Sequence, residues 1–372
     1  MKFTCLQENL KQGLSIIERI VGKNPSLPIL STVLIETQKN LIKLCATDLE
    51  IGISCWINAS VEKEGSLCIP AKILSSYINS LPNKKIEINS KDNKLNLKCE
   101  NYKSSIAGFS PDDFPIIPQI KEKEFVSLDS PSLCKGFSKV IGSAALSESR
   151  PEISGIFVNF KNNSVKLVAT DSFRLAEKTV SFEKPLAIEK AIIIPAKTVQ
   201  EVIRIFGQEE GKNEIDVYSN PSQILFSKTE NPKIQLVSRL IEGSYPNYEE
   251  IIPNDFLTKI IFDKSELTRQ IKVASLFASR TNEIKIKINP SEKNIEFFSS
   301  NPDTGENRSE MEAQIEGEKA EVTFNCKYLM DGLSNFDDEQ ISLELNGEER
   351  PGILKPIKKK DYIYIVMPIR PL

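Results

Sequence analysis

Apolar residues recur at two spacings along this chain: every second position over short stretches, and every third or fourth over longer ones. Met1–Leu6 alternates as a strand. Leu10, Leu14, Ile17 and Val21 then share one helix face, predicting a helix over Glu8–Lys23 that Pro25 and Pro28 close. Strand patterns follow at Thr32–Thr37, Leu41–Ala46, Ile51–Val61 and Leu67–Pro70, then a helix at Ala71–Leu81 stopped by Pro82. Ile86–Asn89, Lys94–Glu100 and Tyr102–Ile106 complete a run of short strands that ends at Phe114-Pro115.

The same grammar returns twice. Pro131–Ala145 reads as a helix with Leu133, Phe137, Val140 and Ala144 on one side. The phrase Lys43-Leu44-Cys45-Ala46-Thr47-Asp48 reappears as Lys166-Leu167-Val168-Ala169-Thr170-Asp171, an offset of 123 that also relates Pro28 to Pro151. Ile69-Pro70-Ala71-Lys72 returns as Ile194-Pro195-Ala196-Lys197 at an offset of 125, and Phe114-Pro115 as Tyr245-Pro246 at 131. Constant order with a slowly drifting offset is the mark of a duplication with loop insertions. A third, more diverged copy places Asn301 at 130 beyond Asp171 and Lys327 at 130 beyond Lys197. Its helices are expected at Lys264–Arg280 and Asn325–Phe336, and its last strand at Tyr362–Met367. Each third thus holds two helices and about eight short strands, which argues for an α+β fold of antiparallel sheets rather than strict βαβ alternation. The expected domains are 1–120, 121–250 and 251–372, with linkers near Pro118–Val126 and Pro246–Asn254.

Composition narrows the chemistry. The 372 residues contain no histidine, which removes Ser-His-Asp and Cys-His nucleophile systems and histidine zinc sites. Neither a G-x-x-x-x-G-K-[ST] loop nor a G-x-G-x-x-G fingerprint occurs. Seven scattered cysteines without a C-x-x-C pair read as buried thiols of a reducing compartment. No apolar run is long enough to span a bilayer and the N-terminus lacks a signal-peptide block, so a cytoplasmic location is expected. No catalytic residue, metal or cofactor is expected.

Charge adds a different signal. Net charge is −3, yet the six predicted helical stretches (the third taken to Arg150) carry 14 basic and 6 acidic residues, leaving −11 elsewhere. Acid collects in turns: Glu62 and Glu64, Asp112-Asp113, Glu209-Glu210, Glu249-Glu250, Asp337-Asp338-Glu339 and Glu348-Glu349. If the helices share one side of the sheets, that side is a basic stripe on an acidic protein. Such a stripe attracts duplex phosphates by counterion release and carries no base code. Few aromatics accompany it, so no stacking platform for single strands is predicted.

Three α+β repeats, the phrase Ala169-Thr170-Asp171-Ser172-Phe173-Arg174-Leu175, the Pro-Ala-Lys helix starts, Tyr245-Pro246-Asn247-Tyr248 and the ending Val366-Met367-Pro368-Ile369-Arg370 together resemble the bacterial DNA polymerase III β-subunit family, the sliding clamps. The resemblance covers essentially the whole chain. It implies a head-to-tail homodimeric ring of six domains, with helices lining a hole around double-stranded DNA and sheets outside. It implies as partners the polymerase III catalytic subunit, the clamp loader and other proteins with clamp-binding motifs. It also implies a peptide crevice between the second and third domains. The matching positions are Ile153, Thr170, Ser172, Phe173, Arg174, Leu175, Pro246, Ile251, Ile365, Met367, Pro368, Ile369 and Arg370, with Arg174 and Arg370 placed to bond peptide carbonyls or an acidic residue. Phe173, Glu250 and Pro371 depart from the family pattern and make the pocket bulkier, more apolar and less basic. For DNA contact the candidates are Lys23, Lys72, Arg150, Lys197, Lys272, Arg280 and Lys327; for the dimer seam, Ile73, Leu74, Leu276 and Phe277.

Two other classes compete: a peptide-binding scaffold never loaded on DNA, and a hydrolase or transferase using Asp48 and Asp171. Recurrence of both aspartates in equivalent turns favours a structural role for them.

Overall fold

The computed structural model describes residues 1–22, 27–118, 120, 126–147, 149–182, 189–207, 213–229, 232–253 and 255–370. Among them are twenty-six strands in four sheets, every named strand pair antiparallel, and six α-helices. The helices are α1 (Gln7–Ile17), α2 (Ala71–Ser80), α3 (Ser130–Val140), α4 (Ala196–Phe206), α5 (Lys264–Ser275) and α6 (Cys326–Ser334). The α+β expectation with two helices per repeat therefore holds. No helix among the described residues is long and apolar enough to cross a membrane.

Local sequence explains most element ends. α1 buries Leu10, Leu14 and Ile17, with Gly13 packed so close to Leu44 that an added Cβ would lie 2.8 Å from its Cδ1. Asp263 caps α5 by accepting from Glu266 N, and Asn325 caps α6 by accepting from Lys327 N and Tyr328 N. Asp92 and Asn93 both take positive φ, 51° and 55°, and turn the hairpin between strands Lys85–Lys91 and Lys94–Cys99.

Three predicted helices are shorter than their apolar periodicity suggested. α1 ends at Ile17 in a 3₁₀ turn, Glu18–Ile20, and Val21 lies beyond it. α3 likewise ends at Val140 and tightens into the 3₁₀ turn Ile141–Ser143, so Ala144 and Arg150 are outside any helix. After Ser275 the amides of Leu276 and Phe277 reach back three residues, to Val273 O (3.2 Å) and Ala274 O (3.0 Å), and α5 stops before Arg280. The alternation read as one strand over Ile51–Val61 is two strands, Ile51–Asn58 and Ser60–Lys63.

The chain forms two compact units. Unit 1 comprises Met1–Pro131 and Arg204–Leu240; unit 2 comprises Ser132–Ile203 and Ile241–Leu372. In unit 1, strand Ile51–Asn58 of the first repeat pairs with Lys233–Arg239 of the second, joining both repeats in an eight-stranded sheet. In unit 2, strand Arg174–Ser181 of the second repeat pairs with Tyr362–Val366 of the third within a nine-stranded sheet. The cores are dense in Ile, Leu and Val, and all seven cysteines are buried thiols.

Candidate functional site

The Thr-Asp phrase forms one turn, built twice. In unit 2, Thr170 Oγ1 donates to Arg174 O (2.7 Å) and accepts from Ser172 N (3.1 Å); Asp171 Oδ1 accepts from Phe173 N and Arg174 N, both at 2.9 Å. In unit 1, Thr47 Oγ1 donates to Ile51 O (2.9 Å) and accepts from Leu49 N (3.0 Å), while Asp48 Oδ1 accepts from Glu50 N (3.0 Å) and Ile51 N (2.7 Å). The residue after each aspartate is left-handed: φ is 78° at Leu49 and 76° at Ser172. Asn301 holds the third copy, accepting from Asp303 N at 2.9 Å. These carboxylates are occupied by backbone amides, which gives Asp48 and Asp171 the structural role favoured over catalysis.

Next to the unit 2 turn lies a cavity of about 230 Å³. Ile153, Thr170, Ser172, Arg174, Leu175, Pro246, Ile251, Ile365 and Met367 line it, as the sequence predicted, together with Arg150, Asn247 and Tyr248, which it missed. Ile153, Leu175 and Ile365 form a buried floor, 3%, 1% and 1% exposed, whereas Ile251 on the wall is 44% exposed. Arg370 lines an adjoining cavity that shares Ile251 and Met367 with the first. Phe173, Pro368 and Ile369 line neither cavity. The Phe173 ring is 60% exposed while its carbonyl accepts from Met367 N (2.8 Å), and Ile369 N donates to Thr323 O (2.8 Å). Pro371 lies outside the described residues.

The walls are fixed by chemistry behind them. Tyr245, Tyr248 and Phe157 interlock, with Phe157 and Tyr245 stacked at 5.0 Å and Tyr245 and Tyr248 edge-on at 6.4 Å. Tyr248 donates to Glu177 Oε2 at 2.6 Å, and Lys166 reaches both Glu177 (3.5 Å) and Glu249 (3.2 Å). Burial, then the bond to Glu177, push the Tyr248 phenol well above its ordinary pKa. The expected linker at Pro246–Asn254 is therefore a packed wall carrying the 3₁₀ turn Tyr248–Ile251; Asn254 itself lies outside the described residues.

Arg174 lines the cavity with its guanidinium anchored from within the chain. Its Nε bonds Asp171 Oδ2 (3.0 Å), its Nη1 bonds Asp331 on α6, and the guanidinium lies 4.6 Å over the Tyr328 ring. Burial, the largest single influence, opposes the charge, but the contributions of Asp331, Tyr364 and Asp171 together outweigh it and hold the pKa above the usual value. Arg150, expected on a helix, instead points Nη1 at Ser172 Oγ (3.0 Å) and Nε at Glu152 (3.2 Å), on the cavity rim. The spacing of apolar residues could not reveal this, because α3 stops ten residues before Arg150.

Among the other basic candidates, Lys72, Lys197 and Lys327 are exposed and each is the second residue of the second helix of its repeat. Lys272 on α5 and Arg280 beyond it are exposed as well; Lys23 lies outside the described residues. The six helices as formed hold 10 basic and 4 acidic residues, so their net positive charge survives their shortening. Several of these cations are engaged: Arg204 caps α1 through Ser15 O (3.0 Å) and Ile16 O (2.5 Å), and Lys135 and Lys139 hold Asp337 at 3.0 and 2.8 Å. Of the seam candidates, Ile73 is 56% and Leu276 70% exposed and Phe277 is half-buried. Leu74 is wholly buried on the inner face of α2 with Ala71 and Ile78, and so belongs to the core rather than to a surface.

Comparison with known proteins gives a consistent result along the chain. Models of the DNA polymerase III beta subunit match consecutively: the N-terminal domain over residues 1–118, the central domain over 127–247 and the C-terminal domain over 249–370. A beta sliding clamp of Synechococcus elongatus is 28% identical over 375 residues, and one of Staphylococcus aureus 28% over 380, each spanning 100% of this chain and 99% of the relative. The structure of a Bacillus subtilis DNA polymerase sliding clamp superimposes with a TM-score of 0.95 at 26% identity, covering both chains fully. A Thermotoga maritima DNA polymerase III beta subunit gives 0.92 at 27%, again over both full chains.

Proposed function

The chain belongs to the DNA polymerase III beta-subunit family, and from that premise we propose that it is a non-catalytic processivity factor that encircles duplex DNA as a head-to-tail homodimeric ring. The domains are 1–120, 121–250 and 251–372, and the apolar side chains of Ile73, Leu276 and Phe277 contribute to the seam between two copies. The ring works in the cytoplasm and tethers the polymerase III catalytic subunit by topology. It needs no tight contact with DNA, because phosphates are interchangeable along the helix and the protein slides from one to the next.

The observation that carries this is the recurrence of lysine at one place: Lys72, Lys197 and Lys327, each second in the second helix of its repeat. A helix start carries partial positive charge, so a cation there opposes the dipole unless an anion is shared. Backbone amides and a lysine together make a phosphate site. Three such positions, with Lys272 and Arg280, supply sequence-blind contacts to a duplex.

The unit 2 crevice receives linear motifs of the polymerase, the clamp loader and other clients. An apolar floor of Ile153, Leu175 and Ile365 with the flexible Met367 suits leucine or phenylalanine anchors. Arg174, oriented by Asp171 and Asp331, joins Arg150 and Arg370 in bonding peptide carbonyls or an acidic residue of the motif.

The test is to load the protein on a nicked circular DNA with a clamp loader and then cut the circle once. Retention on the circle and release on cutting is the expected result. Equal retention after linearisation would mean binding by contact alone and would leave a peptide-binding scaffold as the better description.

A further inference from the structure

Unit 1 contains a cavity of about 240 Å³ beside the chain's single tryptophan, Trp56. Lys43, Trp56 and Lys233 stand directly opposite one another on three adjacent strands, so both ammonium groups flank one indole. Their Nζ atoms lie 5.6 and 4.8 Å from the ring centroid. Ser54 and Gln235 form the next row on the same face, and Ile117 and Pro118 close one side.

The duplication shows what this place lacks. At the 123 offset, Lys43 corresponds to Lys166 and Ser54 to Glu177; at the 131 offset, Ile117-Pro118 corresponds to Tyr248-Glu249. In unit 2 the chain fills the position itself. Tyr248 supplies a ring and bonds Glu177, and Lys166 is matched by the carboxylates of Glu177 and Glu249. In unit 1 the lysine is kept, but the ring and both carboxylates are replaced by Ile117, Ser54 and Pro118. Lys43 retains Glu36 at 3.3 Å, while Lys233 is exposed and adds a second cation. A cavity of roughly 150 Å³ already accepts benzene, so a phenyl ring fits here.

We propose that the Trp56 cavity is a second docking site, for a linear peptide segment in which an aromatic residue is followed by acidic ones. The partner's ring lies against Ile117, Pro118 and Trp56, in the role Tyr248 plays in unit 2. Its carboxylates pair with Lys233 and Lys43. Charge complementarity selects this occupant, because among the described residues the two ammonium groups beside Trp56 share the single carboxylate of Glu36, and a basic or neutral segment would leave that excess positive charge beside an apolar wall. The site requires neither DNA nor a ring, so its test is independent of the function proposed above.

Trp56 is its own reporter. The full-length protein is titrated with acetyl-Phe-Glu-Glu-amide and followed by tryptophan emission, with acetyl-Phe-Lys-Lys-amide as control. The expected result is a saturable change with the acidic peptide only, weakened by salt. Lys233→Glu should weaken binding at least roughly tenfold, the scale of a close charge pair, without altering far-ultraviolet circular dichroism. If that variant misfolds, Lys233→Gln should still weaken binding several-fold. No saturable change, an equal response to the basic peptide, or unchanged affinity in the folded variant would overturn the proposal.

Discussion

Asp171→Ala and Asp171→Asn separate the two roles a carboxylate can play in the crevice turn. Asp171 makes three bonds: Oδ1 accepts two backbone amides at 2.9 Å, and Oδ2 accepts Arg174 Nε at 3.0 Å. Hydrogen bonds to a charged group contribute about 1.5–3 kcal/mol each, less where water can replace the partner. The Phe173 amide is exposed and can be rehydrated, whereas the Arg174 amide is half-buried. Alanine should therefore cost about 2–4 kcal/mol in urea unfolding. Asparagine keeps an Oδ1 acceptor for both amides but loses the Oδ2 acceptor and its charge, its Nδ2 then facing Arg174 Nε donor to donor while Asp331 still pairs the guanidinium; its cost should be about 1.5 kcal/mol. Native-state hydrogen exchange should show Phe173 and Arg174 amides losing protection in the alanine variant and keeping it in the asparagine variant. Affinity for a crevice-binding peptide should fall with alanine, because Thr170, Ser172 and Arg174 all line the cavity. Equal damage from the two substitutions, or an alanine variant within about 0.5 kcal/mol of the parent, would refute the acceptor argument. Loss of a measured turnover at unchanged stability would instead make Asp171 a catalyst.

Replacing Lys72, Lys197 and Lys327 together by glutamine should lower retention on circular DNA as salt rises, and should reduce the slope of log affinity against log salt by about 0.9 for each phosphate that is no longer neutralised. Asp337 is drawn down to about 2 by its bonds to Lys139 and Lys135. Its contribution is therefore full above the ordinary aspartate value of 3.8 and disappears as pH falls through about 2, so stability should decline across that window and decline less in Asp337→Asn. Asp337 is largely exposed, so the effect is small and screened by salt. Burial pushes the Cys5 and Cys55 thiols up to about 12, so neither should react with a thiol reagent until urea unfolds the chain.

What could be read from the sequence was whatever is local and periodic. The helix faces at Leu10, Leu14 and Ile17 appear in the structure as buried stripes, and the Thr-Asp phrase appears as the same turn in both units. Helix ends were less legible, because apolar spacing continues past the point where hydrogen bonds shift from four residues to three, as at Leu276 and Phe277. Contacts distant in sequence were not legible at all. Nothing periodic announces that Asp331 reaches Arg174 across 157 positions, or that Tyr248 turns inward to Glu177 while neighbouring Glu249 and Glu250 stay exposed. The acidic run Glu249-Glu250 and the flanking Pro246 and Pro253 made that segment resemble a linker, yet Tyr248 is only 7% exposed. Leu74 failed as a surface candidate for a related reason. A helix with Ile73 and Leu74 side by side must bury one of them, and only packing decides which.

The two seams share a backbone and differ in their sites. Thr47, Gly52 and Val237 form a row across three strands of unit 1, as Thr170, Leu175 and Ile365 do in unit 2. In unit 2 that row is the floor of the open crevice. In unit 1 the central residue is glycine, and Ile117 drops into the space: a Cβ added to Gly52 would lie 2.8 Å from Ile117 Cγ2. The equivalent crevice is thus plugged, and the opening moves along the strands to Trp56. Fold and register are set by hydrogen bonds and by the alternation of buried faces, which tolerate both outcomes. The character of each site follows from a few side chains on one face, so likeness of backbone, whether between repeats or between relatives, does not specify what each seam binds.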